Sequence, residues 1–305
     1  MPSSDSGVEG DDDRRSTKSL SKSVAEGVLE NGRRYQSYAP GKYPLPNDEE
    51  EQDRLDQQHH LFGLTFEKNL CTCPVNKANV HRVLDAGTGT GIWAMDFADD
   101  NPHAHVIGID LSPIQPESVP PNWLFAFNFD LIHCRMLTFS ISDWPRFFQQ
   151  SFENLALGGY IEVIDIAFPI ETDDESLPAD SLLLDWSSKL IEASTKAGMP
   201  LDSAKLHKQR LKDAGFKEIV EKKYVWPQYI WAKEKKFQDI GVFSFSVMSK
   251  IESISMALFT QHLGWTKSQV HEYSISVKAE MRKREIHAYW PIYVVYGRKP
   301  VSPQV

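Results

Sequence analysis

The chain has 305 residues and is 41% hydrophobic and 11% aromatic, values typical of a globular protein that buries a sizeable core. Its formal net charge of −9 argues against a duplex nucleic-acid binder, because neutralising phosphates requires a basic face. No apolar run approaches the roughly 20 residues of a membrane span, and the first residues lack an apolar signal region, so we expect a cytoplasmic protein with no membrane partner.

Two segments of different composition precede the first strong strand pattern. Residues 1–22 are rich in Ser and Asp and are predicted to be disordered, because they carry few large apolar side chains. Asp48 is a suitable N-cap for a helix over residues 49 to about 70. We therefore expect a helical N-terminal extension, or lid, over residues 23–80.

Apolar strands that alternate with helices predict an open α/β sheet from Arg82 onward. The expected strands are residues 83–86, 105–109, 129–133, 160–166, 216–226 and 287–297. The expected helices begin after Gly91 and at Asp143, the latter ending at residues 158–159, and cover residues 182–197, 204–214, 237–263 and 267–284. The last two helices lie between the last two strands, so residues 227–286 are interpreted as a helical insertion that forms a lid or substrate wall.

The most informative motif lies at the end of the first core strand. Residues 83–91 read Val-Leu-Asp-Ala-Gly-Thr-Gly-Thr-Gly, and Asp110 closes the second strand nineteen residues after Gly91. In open α/β sheets a nucleotide-like ligand lies at the carboxyl ends of such strands, and an acid on the second strand binds its ribose hydroxyls. A dinucleotide site needs G-x-G-x-x-G, but the last position here is Ile92. The spacing favours a smaller ligand with a ribose and a zwitterionic end.

This turn and several longer strings resemble the LaeA-like class I S-adenosylmethionine-dependent methyltransferases of filamentous fungi, found mostly around secondary metabolism. The G-x-G-x-G turn is shared by all class I enzymes, whereas Asp-Leu-Ser-Pro-Ile-Gln-Pro at residues 110–116 is far more selective. Other matching strings lie at residues 30–35, 43–48, 84–94, 141–145 and 287–300. The resemblance implies a Rossmann-like sheet, mostly parallel with an antiparallel last strand, in a methyltransferase domain over residues 81–305.

The resemblance also implies S-adenosyl-L-methionine as cofactor and a small-molecule methyl acceptor as substrate. The residues expected to bind the cofactor are Asp85, Gly87, Thr88, Gly89, Gly91, Asp110, Leu111 and Tyr35. Backbone N–H groups of the turn are expected to bind its carboxylate, Asp85 its amino group and Asp110 its ribose, while the segment around Tyr35 folds over it. Because the family includes transcriptional regulators, a regulatory protein partner and a nuclear location are alternatives.

The pattern assigns no catalytic residue. Methyl transfer from a sulfonium depends mainly on proximity and alignment, and a base is needed only if the acceptor must lose a proton. The candidate bases are His133 at a strand end and Glu162 or Asp165 on the next strand. Each has a structural alternative, either a core histidine or a sheet-end ion pair.

Two other clusters are interpreted as structural. Cys71 and Cys73 are one residue apart near His59-His60, whereas zinc sites usually separate cysteines by two to four residues and add a second ligand pair, so no metal is expected. With Cys134 they form a sparse, odd set that is typical of a reducing compartment. The aromatic residues within 224–231 either line a substrate pocket or pack in the core.

One departure from the family pattern lies between Asp110 and Asp130. These residues are twenty positions apart, whereas two crossovers with a strand between them need about thirty residues. Residues 125–128, Phe-Ala-Phe-Asn, occupy the place where the family carries acids beside the adenine. We infer an internal loss of roughly fifteen to twenty residues, with the third strand either truncated or reduced to residues 123–127.

Three functions are therefore considered. The first is a small-molecule methyltransferase of fungal secondary metabolism. The second is a degenerate methyltransferase fold that regulates or binds other proteins without turnover, which the missing acids favour. The third is an NAD-dependent oxidoreductase, which Ile92 disfavours.

Overall fold

The computed structural model describes residues 27–39, 41, 43–115, 128–201 and 203–301. The predicted disordered tail and the predicted third strand at residues 123–127, with most of the shortened interval, lie outside these ranges. The described residues form a small hairpin, β1 (Val28–Glu30) and β2 (Arg33–Tyr35), and a six-stranded sheet. Its strands are β3 (Arg82–Ala86), β4 (His105–Ile109), β5 (Phe129–Arg135), β6 (Leu155–Ile166), β7 (Lys217–Pro227) and β8 (Tyr289–Arg298).

Helices cover the sheet and the carboxyl ends of its strands. In the described ranges they are α1 (Glu49–Thr65), α2 (Ile92–Asp100), α3 (Trp144–Asn154), α4 (Leu182–Lys196), α5 (His207–Asp213), α6 (Lys235–Met248), α7 (Ile251–His262) and α8 (Lys267–Met281). Successive β5 residues Leu131 and Ile132 belong to different apolar clusters, one packed around Trp93 of α2 and the other around Trp144 of α3. Both faces of the sheet are therefore buried, as parallel strands require.

The strand order of the sheet is β4-β3-β5-β6-β8-β7. Strands β3 to β6 pair in parallel, whereas β8 runs antiparallel to both β6 and β7. The predicted fold class, a mostly parallel sheet with an antiparallel last strand, is confirmed. Because β3 lies between β4 and β5, the strand order reverses beside it, and the carboxyl ends of these strands open a crevice.

Several predicted element boundaries are wrong; the helix predicted to reach about residue 70, α1, ends at Thr65. The helix α3 does not extend to Gly158; it ends at Asn154, and β6 begins at Leu155, which pairs with Phe129. A Cβ at Gly159 would lie 2.9 Å from the Phe129 carbonyl oxygen, so glycine there permits a close approach of two strands. The predicted single helix over residues 237–263 is two helices, α6 and α7.

The N-terminal extension packs on the helices inserted between β7 and β8. Besides the predicted helix α1, it contains the hairpin, whose Asn31-Gly32 turn was not predicted. The Lys267 ammonium donates to the Asn31 carbonyl at 3.1 Å, and Arg33 donates to the Ser253 hydroxyl of α7. The hairpin is thus attached to α7 and α8.

The stretch Lys235–His262, which comprises α6 and α7, is long enough for a candidate membrane span in the described ranges, and its most apolar 18-residue window has a mean hydropathy of 1.3. An apolar stretch of this length was not expected from the sequence. However, 67% of its most apolar window is buried inside the protein, and the chain turns at Ser249 and Lys250. The stretch is a core element of the fold.

Asp48 connects the hairpin to α1. Its side chain caps α1 by accepting the Glu51 N–H at 3.2 Å, and Arg33 donates to both carboxylate oxygens at 2.6 and 2.7 Å. Burial acts to raise the pKa of Asp48, but the bonds from Arg33 outweigh it and lower that pKa. This contribution to stability is therefore present at neutral pH and is lost as the pH falls through the lowered, folded-state pKa.

Replacing Asp48 with Ala is expected to lower the free energy of unfolding by about 1–2 kcal/mol, because α1 loses its cap and Arg33 its partner. Urea denaturation at pH 7 measures this change. Asp48→Asn keeps one capping oxygen and is expected to lose less. Equal stability of the Ala variant and the parent would contradict the role of this contact.

Candidate functional site

A cavity of about 440 Å³ lies at the carboxyl ends of β3 to β6. The loops after β3, β4 and β5 form one side, and α1 with the α6–α7 region forms the other. In the ranges that the structure describes, the charged side chains on its wall are Asp85, Asp110, Arg54 and Arg135. The volume falls within the roughly 300–1,000 Å³ usual for small-molecule sites.

The glycine-rich turn after β3 forms one end of the cavity. Gly87, Gly89 and Gly91 have φ values of 75°, 58° and 83°, which residues with side chains rarely adopt. A Cβ at Gly87 would collide with Leu137, whereas at Gly89 the nearest atom would be Leu55 Cδ1 at 3.4 Å. The turn therefore depends on glycine for its backbone shape, and Gly89 presents bare backbone to the cavity.

Several N–H groups of this turn already have partners within the protein. Those of Gly87 and Thr88 donate to the Ile109 carbonyl at 2.8 and 3.0 Å, and that of Gly91 donates to the Thr88 carbonyl at 3.0 Å. The Gly89 N–H donates to Asp110 Oδ2 at 2.9 Å. These four groups are not free for the ligand carboxylate expected from the sequence.

Both carboxylates predicted to contact the cofactor lie on the wall. Asp110 accepts the N–H groups of Gly89 and Ser112, each at 2.9 Å, and desolvation raises its pKa. Asp85 accepts the Thr88 hydroxyl at 2.7 Å and His133 Nδ1–H at 3.1 Å. Because a carboxylate offers about four lone-pair sites, each retains capacity for a ligand.

Six of the eight predicted residues lie together on the cavity wall: Asp85, Gly87, Thr88, Gly89, Asp110 and Leu111. Gly91 is off the wall, immediately before α2. Tyr35 is also off the wall; it is buried in β2, because the hairpin packs against α7 and α8. The neighbouring segment reaches the cavity instead, through Tyr43 and Asn47.

His133 does not lie on the described cavity wall. It is fully buried, and its ring stacks on Trp93 with centroids 3.7 Å apart and an interplanar angle of 2°. Its Nδ1–H bond to Asp85 orients that carboxylate. His133 is therefore a positioning residue and not a base in contact with substrate.

Glu162 and Asp165 are likewise buried and off the described wall. Glu162 Oε2 accepts the N–H groups of Thr72 and Cys73, both at 2.7 Å. Asp165 Oδ2 accepts from His207 Nε2 at 2.9 Å. The structure assigns both carboxylates to structural pairing, the alternative considered for them from the sequence.

The other sequence clusters also have structural partners. Trp226 Nε1–H donates to the Thr65 hydroxyl at 2.8 Å, and Trp231 Nε1–H donates to the Ala288 carbonyl at 2.9 Å. Within the described ranges, no group of three or more His, Cys, Asp or Glu side chains is arranged to hold a metal ion. Of the aromatic residues within 224–231, Trp226 is buried in the core and the others are half-buried, and none lies on the described cavity wall.

Sequence reasoning missed several polar residues of the wall: Tyr43, Asn47, Arg54, Arg135 and Thr138. Asn47 Oδ1 and Thr138 Oγ1 are buried and have no hydrogen-bond partner within the described ranges. Buried polar atoms are costly without partners, so both positions fit contacts to a polar ligand. The family string at residues 43–48 was a signal for Tyr43 and Asn47.

Comparison with known proteins matches residues 48–222 to a protein-family model described as a methyltransferase domain. The chain is 35% identical over 298 residues to methyltransferase pytC of Aspergillus terreus, covering 93% of this chain and 92% of that protein. It is 34% identical over 265 residues to "Probable methyltransferase tdiE" of Emericella nidulans, covering 83% of each. It is 35% identical over 291 residues to secondary metabolism regulator LAE1 of Cochliobolus heterostrophus, covering 89% and 94%.

Proposed function

Because this chain belongs to the LaeA-like class I S-adenosylmethionine-dependent methyltransferases of fungal secondary metabolism, we propose that it methylates a small, largely apolar molecule in the 440 Å³ cavity. The observation that carries this proposal is the division of the cavity wall. The glycine turn, Asp85 and Asp110 lie together at the carboxyl ends of β3 and β4, and most of the other side chains on the wall are apolar.

The polar end fits S-adenosyl-L-methionine, the cofactor of this family. Because Gly89 has no side chain, a ligand can approach the backbone there. The buried oxygens Asn47 Oδ1 and Thr138 Oγ1, which have no hydrogen-bond partner in the described ranges, can accept hydrogen bonds from it. Asp110 would accept the ribose hydroxyls, and Asp85 the amino group, with Gly87, Thr88 and Leu111 completing the contact surface. When bound, the cofactor supplies a methyl group already activated for displacement by its sulfonium.

The remaining wall favours an apolar acceptor. Its apolar side chains include Leu45, Phe139, Ile166, Phe168, Met248 and Ile254, which come from the N-terminal extension, the segments after β5 and β6, and the inserted helices. Such a surface stabilises aromatic and aliphatic groups by excluding water. The acceptor class therefore depends on the extension and the insertion as well as on the sheet.

Within the described ranges, the wall offers no imidazole and no carboxylate besides Asp85 and Asp110. Burial raises the pKa of the Tyr43 phenol, so this side chain stays neutral and can only donate or accept a hydrogen bond. The chain then acts by holding both reactants in line in the cavity. We propose that the acceptor reacts at an atom that loses its proton to solvent or carries none.

Titration calorimetry of the full chain with S-adenosyl-L-methionine tests the cofactor site. One-to-one binding is expected, and NAD, as the control ligand, is expected not to bind. If a folded sample does not bind S-adenosyl-L-methionine at concentrations up to about 1 mM, the proposal is wrong. Incubation of a fungal small-molecule extract with methyl-labelled cofactor is then expected to give a labelled, organic-soluble product.

The second candidate function, regulation without turnover, is favoured by the similarity to a secondary metabolism regulator. It predicts cofactor binding in the calorimeter with no labelled small molecule in the transfer assay. The two assays together therefore separate the two functions.

A further inference from the structure

Arg135 is a cation at the end of β5 that lines the cavity beneath α1. Its guanidinium carbon lies 4.7 Å from the centroid of the Phe62 ring, and its Nη2 donates to His59 Nδ1 at 3.2 Å. Neither contact neutralises a positive charge. An arginine has five N–H donors in a rigid fork, so most of its bonding capacity is left for another partner.

The other arginine of the wall is already neutralised. Arg54 donates to both carboxylate oxygens of Glu51 at 2.6–3.0 Å, in a pair that is almost fully buried. In the ranges that the structure describes, no carboxylate lies within ion-pair distance of Arg135. Arg135 is half-buried on the wall of the cavity, and a charge withdrawn from water without a counterion is costly, so this arrangement points to an anionic ligand.

His59 holds Arg135 without cancelling its charge. His59 Nε2 lies 2.9 Å from Asp96 Oδ2 and must carry the proton, because a carboxylate accepts. Nδ1 therefore presents a lone pair to Arg135. Burial and the nearby Arg135 lower the pKa of His59, and burial lowers the pKa of Arg135 to about 10. At neutral pH the pair is a neutral imidazole beside a charged guanidinium.

An opposite charge lies on the neighbouring strand. Asp85 of β3 is the register partner of His133, and Arg135 is two residues beyond His133 on β5. Asp85 and Arg135 both reach the cavity wall but form no ion pair with each other. A wall with a separated anion and cation matches an α-amino-acid group, which carries an ammonium and a carboxylate.

We propose that Arg135 binds the carboxylate at the amino-acid end of S-adenosyl-L-methionine, while Asp85 takes its ammonium. The assignment rests on the proposed function and replaces the N–H groups of Gly87, Thr88, Gly89 and Gly91, which have partners of their own. Arg binds carboxylates through two parallel N–H bonds, a geometry that Lys cannot reproduce. A carboxylate on the methyl acceptor has the same chemistry, so the test separates the two sources.

The test compares two ligands in titration calorimetry of the full chain. S-adenosylhomocysteine carries the amino-acid end, and 5′-methylthioadenosine lacks it. Arg135→Gln is expected to weaken S-adenosylhomocysteine about 10- to 100-fold, as for loss of a charged hydrogen-bonded pair, and to change 5′-methylthioadenosine less than about twofold. Arg135→Lys should recover part of the loss, and Arg146→Gln, at an exposed arginine, should change neither ligand.

Equal losses for both ligands would overturn the assignment, because they indicate a general distortion of the cavity. No loss for S-adenosylhomocysteine also overturns it. In that case, 2-naphthoate is titrated into the parent and into Arg135→Gln, each saturated with S-adenosylhomocysteine. If only the parent binds 2-naphthoate, Arg135 binds a carboxylate of the methyl acceptor instead. If the folded parent binds neither nucleoside, both the proposed function and this assignment fail. If the parent binds both and Arg135→Gln binds them equally well, only the assignment of Arg135 fails.

Discussion

Asp110→Ala is expected to weaken binding of S-adenosyl-L-methionine by about 1–3 kcal/mol, or roughly 5- to 150-fold in Kd. The carboxylate now fixes the turn through Gly89 and the next loop through Ser112. Its loss would leave both N–H groups and the ribose hydroxyls without an acceptor. Titration calorimetry of the variant and the parent measures the difference.

The matched control for this change is Asp99→Ala, an exposed carboxylate on α2 that is off the cavity wall. It is expected to leave the cofactor Kd unchanged. An Asp110→Ala variant that is folded and binds as tightly as the parent would remove Asp110 from the cofactor site.

A pH dependence follows from the same residue. Desolvation raises the pKa of Asp110 above its usual value, so the side chain takes up its proton at a higher pH than an ordinary aspartate. The protonated form accepts fewer hydrogen bonds, so cofactor affinity should decline as the pH falls towards that pKa and be constant well above it. In Asp110→Asn this decline should be absent, and thermal unfolding at each pH confirms that the samples stay folded.

Glu162→Ala is expected to lower the free energy of unfolding by about 3 kcal/mol, the second large effect. The fully buried carboxylate accepts the N–H of Thr72 and of Cys73, and the Thr72 hydroxyl at 2.9 Å. Removing it leaves these donors buried without partners. Urea denaturation measures the loss, and Glu162→Gln, which keeps an acceptor oxygen, should lose about 1 kcal/mol.

The same pair of variants separates a structural from a catalytic role. A general base contributes a factor of roughly 10² or more to the rate, so a catalytic Glu162 would make Glu162→Gln stable but almost inactive in the labelled transfer assay. We expect instead that the Gln variant transfers methyl groups like the parent. If Glu162→Gln loses methyl transfer while its stability and cofactor affinity are unchanged, Glu162 is a candidate catalytic base after all.

Local patterns predicted much of the fold because they depend on neighbouring residues. Alternating strands and helices, the glycine spacing and Asp110 at a strand end led to the parallel sheet, its antiparallel last strand and the cofactor end of the cavity. The hairpin was not predicted, although the Asn31-Gly32 pair is a local signal for it: both residues have the positive φ values, 53° and 83°, that an Asn-Gly turn favours.

The break between α6 and α7 could not be predicted from local sequence patterns. No glycine or proline marks it; the chain turns at Ser249 and Lys250, and Lys250 pairs with Glu50 of α1 at 2.8 Å. A boundary set by contacts with another helix leaves no local signal. The sequence therefore predicted one helix over residues 237–263 where the packed protein has two.

The sequence by itself determined that a strand, a glycine turn and an acid come together at one end of the sheet, because each depends on residues close in the chain. Only the tertiary structure decided which other side chains line the cavity at that end. Tyr35 lies away from the cavity because its hairpin packs on α7 and α8, and Glu162 holds a loop ninety residues earlier in the chain. Arg135 emerges as an unneutralised charge only when α1 is packed above β5, because partners distant in sequence determine the environment of a buried group.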